Sequence, residues 1–192
     1  MTKWTISALF LCLFLSPAAW AGKHILPDAC GSNKIDFNVK TEKDQPAPAA
    51  PEAGKAQIVF IESIEKPFGC RAIAVSCNPT VRFGADGDWV GAAKGNSYFA
   101  ISVDPGVHHL CTTAGKDVGM DSFTAVAGKV YYYEAKVTIK ATSERYDGFA
   151  GSKAMSGSGT QIDRQFNFSQ VNEDEGKYRI KISELSTSEP KK

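Results

Sequence analysis

The four of five cysteines that lie beyond the apolar N-terminal run holding Cys12, three histidines and a pair of turn aspartates are the side chains of this chain whose chemistry could go beyond packing. Cys30, Cys70, Cys77 and Cys111 have no C-x-x-C spacing and no nearby histidine pair, so they do not spell a zinc knuckle. An even number of thiols in an oxidising compartment reads as two disulfides. Three connectivities are open, and Cys70–Cys77 with Cys30–Cys111 is favoured. In the chain-entropy account the short loop contributes about 2–3 kcal/mol and the long one about 4–5 kcal/mol. His108 and His109 are neighbours, and neighbours on a strand point to opposite faces, so they cannot grip one ion together. One imidazole is expected to pack and hydrogen-bond while the other faces outward. Asp86 and Asp88 flank Gly87, where short carboxylates bond nearby amides and form a turn rather than a calcium site. There is no H-E-x-x-H, no G-x-S-x-G and no P-loop. No catalytic residue is nominated and no cofactor is expected.

Two further groups offer binding rather than catalysis. Cleavage after Ala21 would leave a terminus reading Gly22-Lys23-His24. Its α-amine, two amides and imidazole can wrap Cu(II) or Ni(II) in a square plane, the geometry those ions prefer. Incidental metal affinity is expected there before metal-dependent biology. Trp89, Tyr98 and Tyr132 have the strand parity of residues facing away from a core. If they meet on one sheet face they form a platform for carbohydrate, peptide or a partner protein. The other reading is that an N-terminal arm folds back and covers them.

The elements that would position these groups follow from the patterning. Lys3, the apolar run Ile6–Leu15 and Ala19-Trp20-Ala21 have the order of a secretory signal peptide over residues 1–21. The run is about half the length a spanning helix needs, so no transmembrane segment is expected once it is removed. Cys12 follows Leu11 inside the run and Cys30 lies too far downstream, so no lipid attachment is expected either. Losing Lys3 leaves 21 basic against 21 acidic residues, with no basic cluster to hold nucleic acid. Residues 22–39 read as an arm ending in the alternating strand Ile35–Val39. Residues 40–55, with Pro46-Ala47-Pro48-Ala49-Ala50-Pro51, read as a semi-rigid linker.

A β-sandwich domain is expected over 56–185. Gln57–Ile61 is apolar on both faces, as a central strand must be. Val81–Phe83 and Trp89–Val90 flank an Asp-Gly hairpin turn. Ser97–Val103 alternates into Asp104-Pro105-Gly106, and Val107–Thr113 follows as the next strand. A shorter strand is expected over Ser122–Val126 and a longer one over Val130–Ile139. The Gly/Ser-rich stretch Lys140–Asp163 reads as a long loop, followed by a strand over Arg164–Val171. Asn172 can cap a short helix over Glu173–Leu185, which leaves 186–192 as a disordered tail. The fold class is mainly β, an antiparallel sandwich with a short C-terminal helix.

The ordered series Val81-Arg82-Phe83-Gly84-Ala85-Asp86-Gly87-Asp88-Trp89-Val90-Gly91, Gly95-Asn96-Ser97-Tyr98-Phe99, Asp104-Pro105-Gly106-Val107-His108 and Ala127-Gly128-Lys129-Val130-Tyr131-Tyr132 resembles the bacterial domain-of-unknown-function family 2846. Its rhythm is also similar to PEGA-type surface β-domains. The resemblance spans about Ala56 to Leu185. It implies a small β-sandwich of the bacterial cell envelope, with no established activity. Together with the leader, this gives the expectation of a periplasmic or secreted, non-catalytic binding module whose partner is an envelope protein or glycan. Two alternatives stay open: an envelope hydrolase with its site near the Gly/Ser-rich stretch, and metal binding at the mature N-terminus.

Overall fold

The structure, a computed structural model, describes residues 27–32, 34–66, 70, 77–150 and 153–191. Residues 1–21, read above as a secretory leader, and Gly22-Lys23-His24 lie outside the described residues. In chain order the elements are β1 (Phe37–Glu42), β2 (Ala56–Glu65), β3 (Val81–Ala85), β4 (Asp88–Ala93), β5 (Ser97–Val103), β6 (Gly106–Ala114), β7 (Asp117–Ala125), β8 (Val130–Ala150), β9 (Lys153–Val171), α1 (Glu173–Lys181) and β10 (Glu184–Pro190). They form a sandwich of a six-stranded sheet, β1-β10-β5-β2-β8-β9, and a four-stranded sheet, β4-β3-β6-β7. The smaller sheet is antiparallel, whereas β2–β8 and β10–β5 in the larger one pair in parallel. The chain builds the whole smaller sheet between β2 and β8, and so long a crossover is what a parallel pair requires.

β2 shows why its stretch Ile58–Ile61 is apolar without a break. Ile58 and Phe60 face the inter-sheet core with Phe83, Phe99, Tyr133 and Val137. Val59 and Ile61 face the opposite side, against Tyr98, Tyr132 and Ile180. The ring centroid of Phe60 lies 4.9 Å from that of Phe83 and 5.3 Å from that of Phe99, so aromatic contacts cross from one sheet to the other. The hairpin between β3 and β4 turns on Asp86 (φ 53°) and Gly87 (φ 96°). Both central residues at positive φ is the turn whose twist matches the flanking strands. The turn after β5 does different work: it carries the chain from the larger sheet to the smaller, so β6 is not the hairpin partner of β5.

Four expectations are corrected. Lys140–Asp163 is not a loop, because β8 and β9 continue through it from Lys140↔Asp163 to Ala150↔Lys153. The ladder already runs from Tyr132↔Val171, and each further pair extends it without a new loop closure. The tail is not disordered through Pro190, because β10 pairs with β1 from Leu185↔Glu42 to Pro190↔Phe37. Its hydroxyls fasten it to β4: Ser186 Oγ donates to the Ala92 carbonyl (2.8 Å), and the Ala92 amide donates to Ser188 Oγ (2.9 Å). The helix stops at Lys181 rather than Leu185, since Leu185 is needed in β10 against the outer-face cluster. Finally, 40–55 does not separate two units. Its first residues belong to β1, and the remainder runs across the outer face of the larger sheet. There Gln57 Nε2 donates to the Ala49 carbonyl (3.1 Å) and the Tyr98 hydroxyl to that of Pro46 (3.3 Å).

α1 begins as expected, with Asn172 accepting from the Glu175 amide (2.9 Å) and acidic residues in the first turn. Gly176, which weakens the helix in isolation, lies so close to the Tyr132 ring that a Cβ there would overlap it. Arg179 donates to Glu175 (2.7 Å) and sits 3.2 Å from the buried Glu134 carboxylate of β8, which fixes the helix on the sheet.

Candidate functional site

The arm, residues 27–32 and 34–36, lies on the outer face of the smaller sheet. Cys30 pairs with Cys111 (Cα–Cα 5.2 Å) and Cys70 with Cys77 (5.8 Å). Under the arm sits Trp89, whose Nε1 donates to the Ser32 carbonyl (2.7 Å). The Arg82 guanidinium carbon lies 4.6 Å from its ring centroid, and Arg82 also donates to the Ile35 carbonyl (2.7 Å). Gly31 approaches the indole so closely that no side chain fits between them. Tyr98 and Tyr132 are on the outer face of the other sheet, 1% and 7% exposed. Burial raises both phenols above their ordinary pKa, so they stay neutral. All three aromatics thus face away from the inter-sheet core, but on opposite sides of the sandwich, and they do not form one platform.

Because Trp89 holds the arm, Trp89→Ala should lower stability by about 2–3 kcal/mol, less than a fully buried tryptophan because the indole is only partly buried. Chemical denaturation measures it. Unchanged stability would show that the arm rests on the sheet without being held by the indole.

His108 is the packed histidine and His109 the exposed one. His108 Nδ1 lies 2.6 Å from Asp86 Oδ2, and Nε2 lies 2.7 Å from the Asp104 carbonyl. Both partners are acceptors, so the ring is best satisfied as the imidazolium. Burial disfavours that charge, but the Asp104 carbonyl and the Asp86 carboxylate outweigh it and raise His108 above its ordinary value. Asp86 Oδ1 also accepts from the His109 amide (2.9 Å), and Asp104 pairs with Lys55 (2.7 Å). This network fastens the hairpin turn, the sheet-to-sheet crossing and the start of β2 together. With both nitrogens occupied, His108 has none left to take a proton from a substrate. Ser63-Ile64-Glu65-Lys66 has the S-x-x-K spelling, but it lies on and just after β2. Residues three apart on a strand face opposite ways, so the pair lacks the geometry that spelling needs on a helix.

Two features of the site escape a motif scan. The first is a groove of about 830 Å³ between α1 and the extended stretch 43–51, open on the outer face of the larger sheet. Val59, Val130, Tyr132 and Ile180 give it an apolar floor. Lys177, paired with Glu173 (2.6 Å), and Lys43, paired with Glu184 (3.6 Å), stand at its rim. The Pro/Ala run was the available signal, since a proline-rich chain spans a face without folding down tightly onto it.

The second is Glu62, which shares parity with Ile58, Phe60 and Ile64 and is fully buried. Neither carboxylate oxygen has a hydrogen-bond partner among the described residues. Burial pushes its pKa up to about 8; the Gly95 amide, not aligned as a hydrogen bond, eases that rise, as do Lys66 and Lys94. A glutamate on the same register as Ile58, Phe60 and Ile64, all in the core, was legible as an anomaly in β2.

Among the described residues no three histidine, cysteine, aspartate or glutamate side chains converge to hold a metal ion. None of the described helices is long and apolar enough to cross a membrane. No protein-family model, no curated protein and no solved structure matches this chain.

Proposed function

We propose that this chain is an exported module of the bacterial cell envelope, periplasmic or secreted, that works by binding and not by catalysis. The groove over β2 and β8 receives a segment of an envelope protein. The groove itself carries the reading: an open, apolar-floored space with a charged rim, walled by proline and alanine on one side and by α1 on the other. An apolar floor beside buried tyrosines suits a protein segment with an apolar anchor better than a glycan strand. Support for export comes from the leader composition and the two disulfide pairs. The motif resemblance to envelope β-domains agrees with it.

Ala50 lines the groove yet is exposed, so a larger side chain there fills the space without touching the core. Ala50→Trp should reduce capture of the envelope partner by about tenfold, a loss of about 1.4 kcal/mol in affinity, while the melting temperature stays put. Quantitative capture from envelope extract by wild type and variant in parallel measures this. Equal capture by the two would rule the groove out, and loss of binding to purified glycan instead would move the ligand class.

A further inference from the structure

The last pairing of β2 with β8 is Glu65↔Thr138. Past it, β8 and β9 run on as a two-stranded ribbon, Lys140–Ala150 against Lys153–Asp163, roughly 36 Å long at strand rise. β9 is also the last strand of the larger sheet, so its outer edge has no ladder partner among the described strands. We propose that this edge pairs antiparallel with the same edge of a second copy of the chain, about a two-fold axis at Ser158.

The ribbon itself asks for a third strand. A two-stranded ribbon by itself is marginal in water, and a third strand is what gives such a unit independent stability. Its two edges differ in a way that selects one. The β8 side carries Lys140, Glu144, Arg145 and Asp147, the kind of charge that blunts an edge against pairing. The β9 side runs from Ala154 to Ile162 with no charge and no proline. Nothing along it opposes a backbone ladder.

The partner is a second copy because the edge is complementary to itself. An antiparallel pair has a two-fold axis, so identical edges can exchange every hydrogen bond if the axis passes through a residue. With the axis at Ser158, Ala154 meets Ile162, Met155 meets Gln161, and Gly157 meets Gly159. At both ends Lys153 of one copy then takes the register position opposite Asp163 of the other. Moving the axis to Gly157 sets Lys153 against Gln161, and moving it to Gly159 sets it against Gln165. Only the Ser158 register places opposite charges across from each other, a favourable cross-strand pair at each end. No ribbon residue lines the groove, so the two proposals stand or fall separately.

Sedimentation velocity over a concentration series of the intact protein tests it, and wild type should show a reversible dimer. Ser158→Lys sets two lysines face to face across the axis and should raise the dimer dissociation constant about tenfold or more, as should Ser158→Glu. An equimolar mixture of the two variants should recover the dimer, because lysine then faces glutamate. Each variant's melting curve should match wild type, since among the described ribbon residues it is Ile162, four positions from the axis, that packs on the core. A wild-type protein that stays monomeric up to millimolar concentration overturns the proposal, whatever foreign strand the edge then takes. So does a mixture that dimerises no better than either variant alone.

Discussion

Raising the pH from 4.5 to 8 should destabilise this protein by about 4–5 kcal/mol through Glu62 alone. A pKa of 4.5 in the unfolded chain against about 8 in the folded one means that unfolding releases a proton throughout that interval. Each unit of difference is worth about 1.4 kcal/mol. Below 4.5 both states hold the proton and the full stability is present; above that it declines, and the loss is complete once pH passes about 8. Glu65, Asp86, Asp104 and Glu173 act in the other direction. Their folded values are lowered, so their contributions are present above the unfolded carboxylate range and fade as pH falls. The whole protein is therefore expected to be most stable on the mildly acidic side of neutrality.

Glu62→Gln isolates the buried carboxyl. It keeps the shape, removes the charge and should flatten the alkaline limb, so that the variant gains several kcal/mol over wild type at pH 8–9 and little at pH 4. Denaturant midpoints of both proteins across that range give the difference curve directly. Parallel curves would show that Glu62 is ionised and compensated in the folded protein.

The pair Cys30→Ala and Cys111→Ala should lower stability by about 4–5 kcal/mol, roughly 10–15 °C in melting temperature for a chain this size. Cys30 and Cys111 are 81 residues apart in sequence, so their bond closes a long loop in the unfolded chain. The matching change at Cys70 and Cys77, separated by 7, should lower it by about 2–3 kcal/mol. The long bridge has a structural consequence that the short one lacks, since it pins the arm over Trp89. Beyond residue 21 Trp89 is the sole tryptophan, so arm release should also shift the fluorescence of a chain lacking residues 1–21 to the red. Equal stability losses for the two bridges would mean that unfolded-chain entropy does not govern them.

The local assignments that proved legible share one property: neighbouring residues decide them. The continuous apolar run of β2, the Asp86-Gly87 turn, the alternation of Ser97–Val103 and the Asn172 cap are each fixed by a few adjacent side chains and their backbone preferences. The candidate site was legible only in pieces. Strand parity placed Trp89, Tyr98 and Tyr132 away from the core, yet parity has two outward sides in a sandwich and does not say which strand joins which sheet.

By itself, then, the sequence determined that the chain makes a β-sandwich, which cysteines could bridge, and which residues sit at its turns. Periodicity, turn chemistry and cysteine number are short-range properties that survive without knowledge of the partners. Only the tertiary structure decided that Gly/Ser-rich residues 140–163 form a paired ribbon and that the polar tail becomes β10. It also decided that the arm covers Trp89 and that the Pro/Ala stretch walls a groove. For the tail and the arm the deciding interactions come from residues distant in sequence, such as Ser32 on Trp89 or Ala92 on Ser186 and Ser188, whereas the ribbon extends the ladder that begins at Tyr132↔Val171. Weak local preference leaves such segments free to take the structure their long-range neighbours impose.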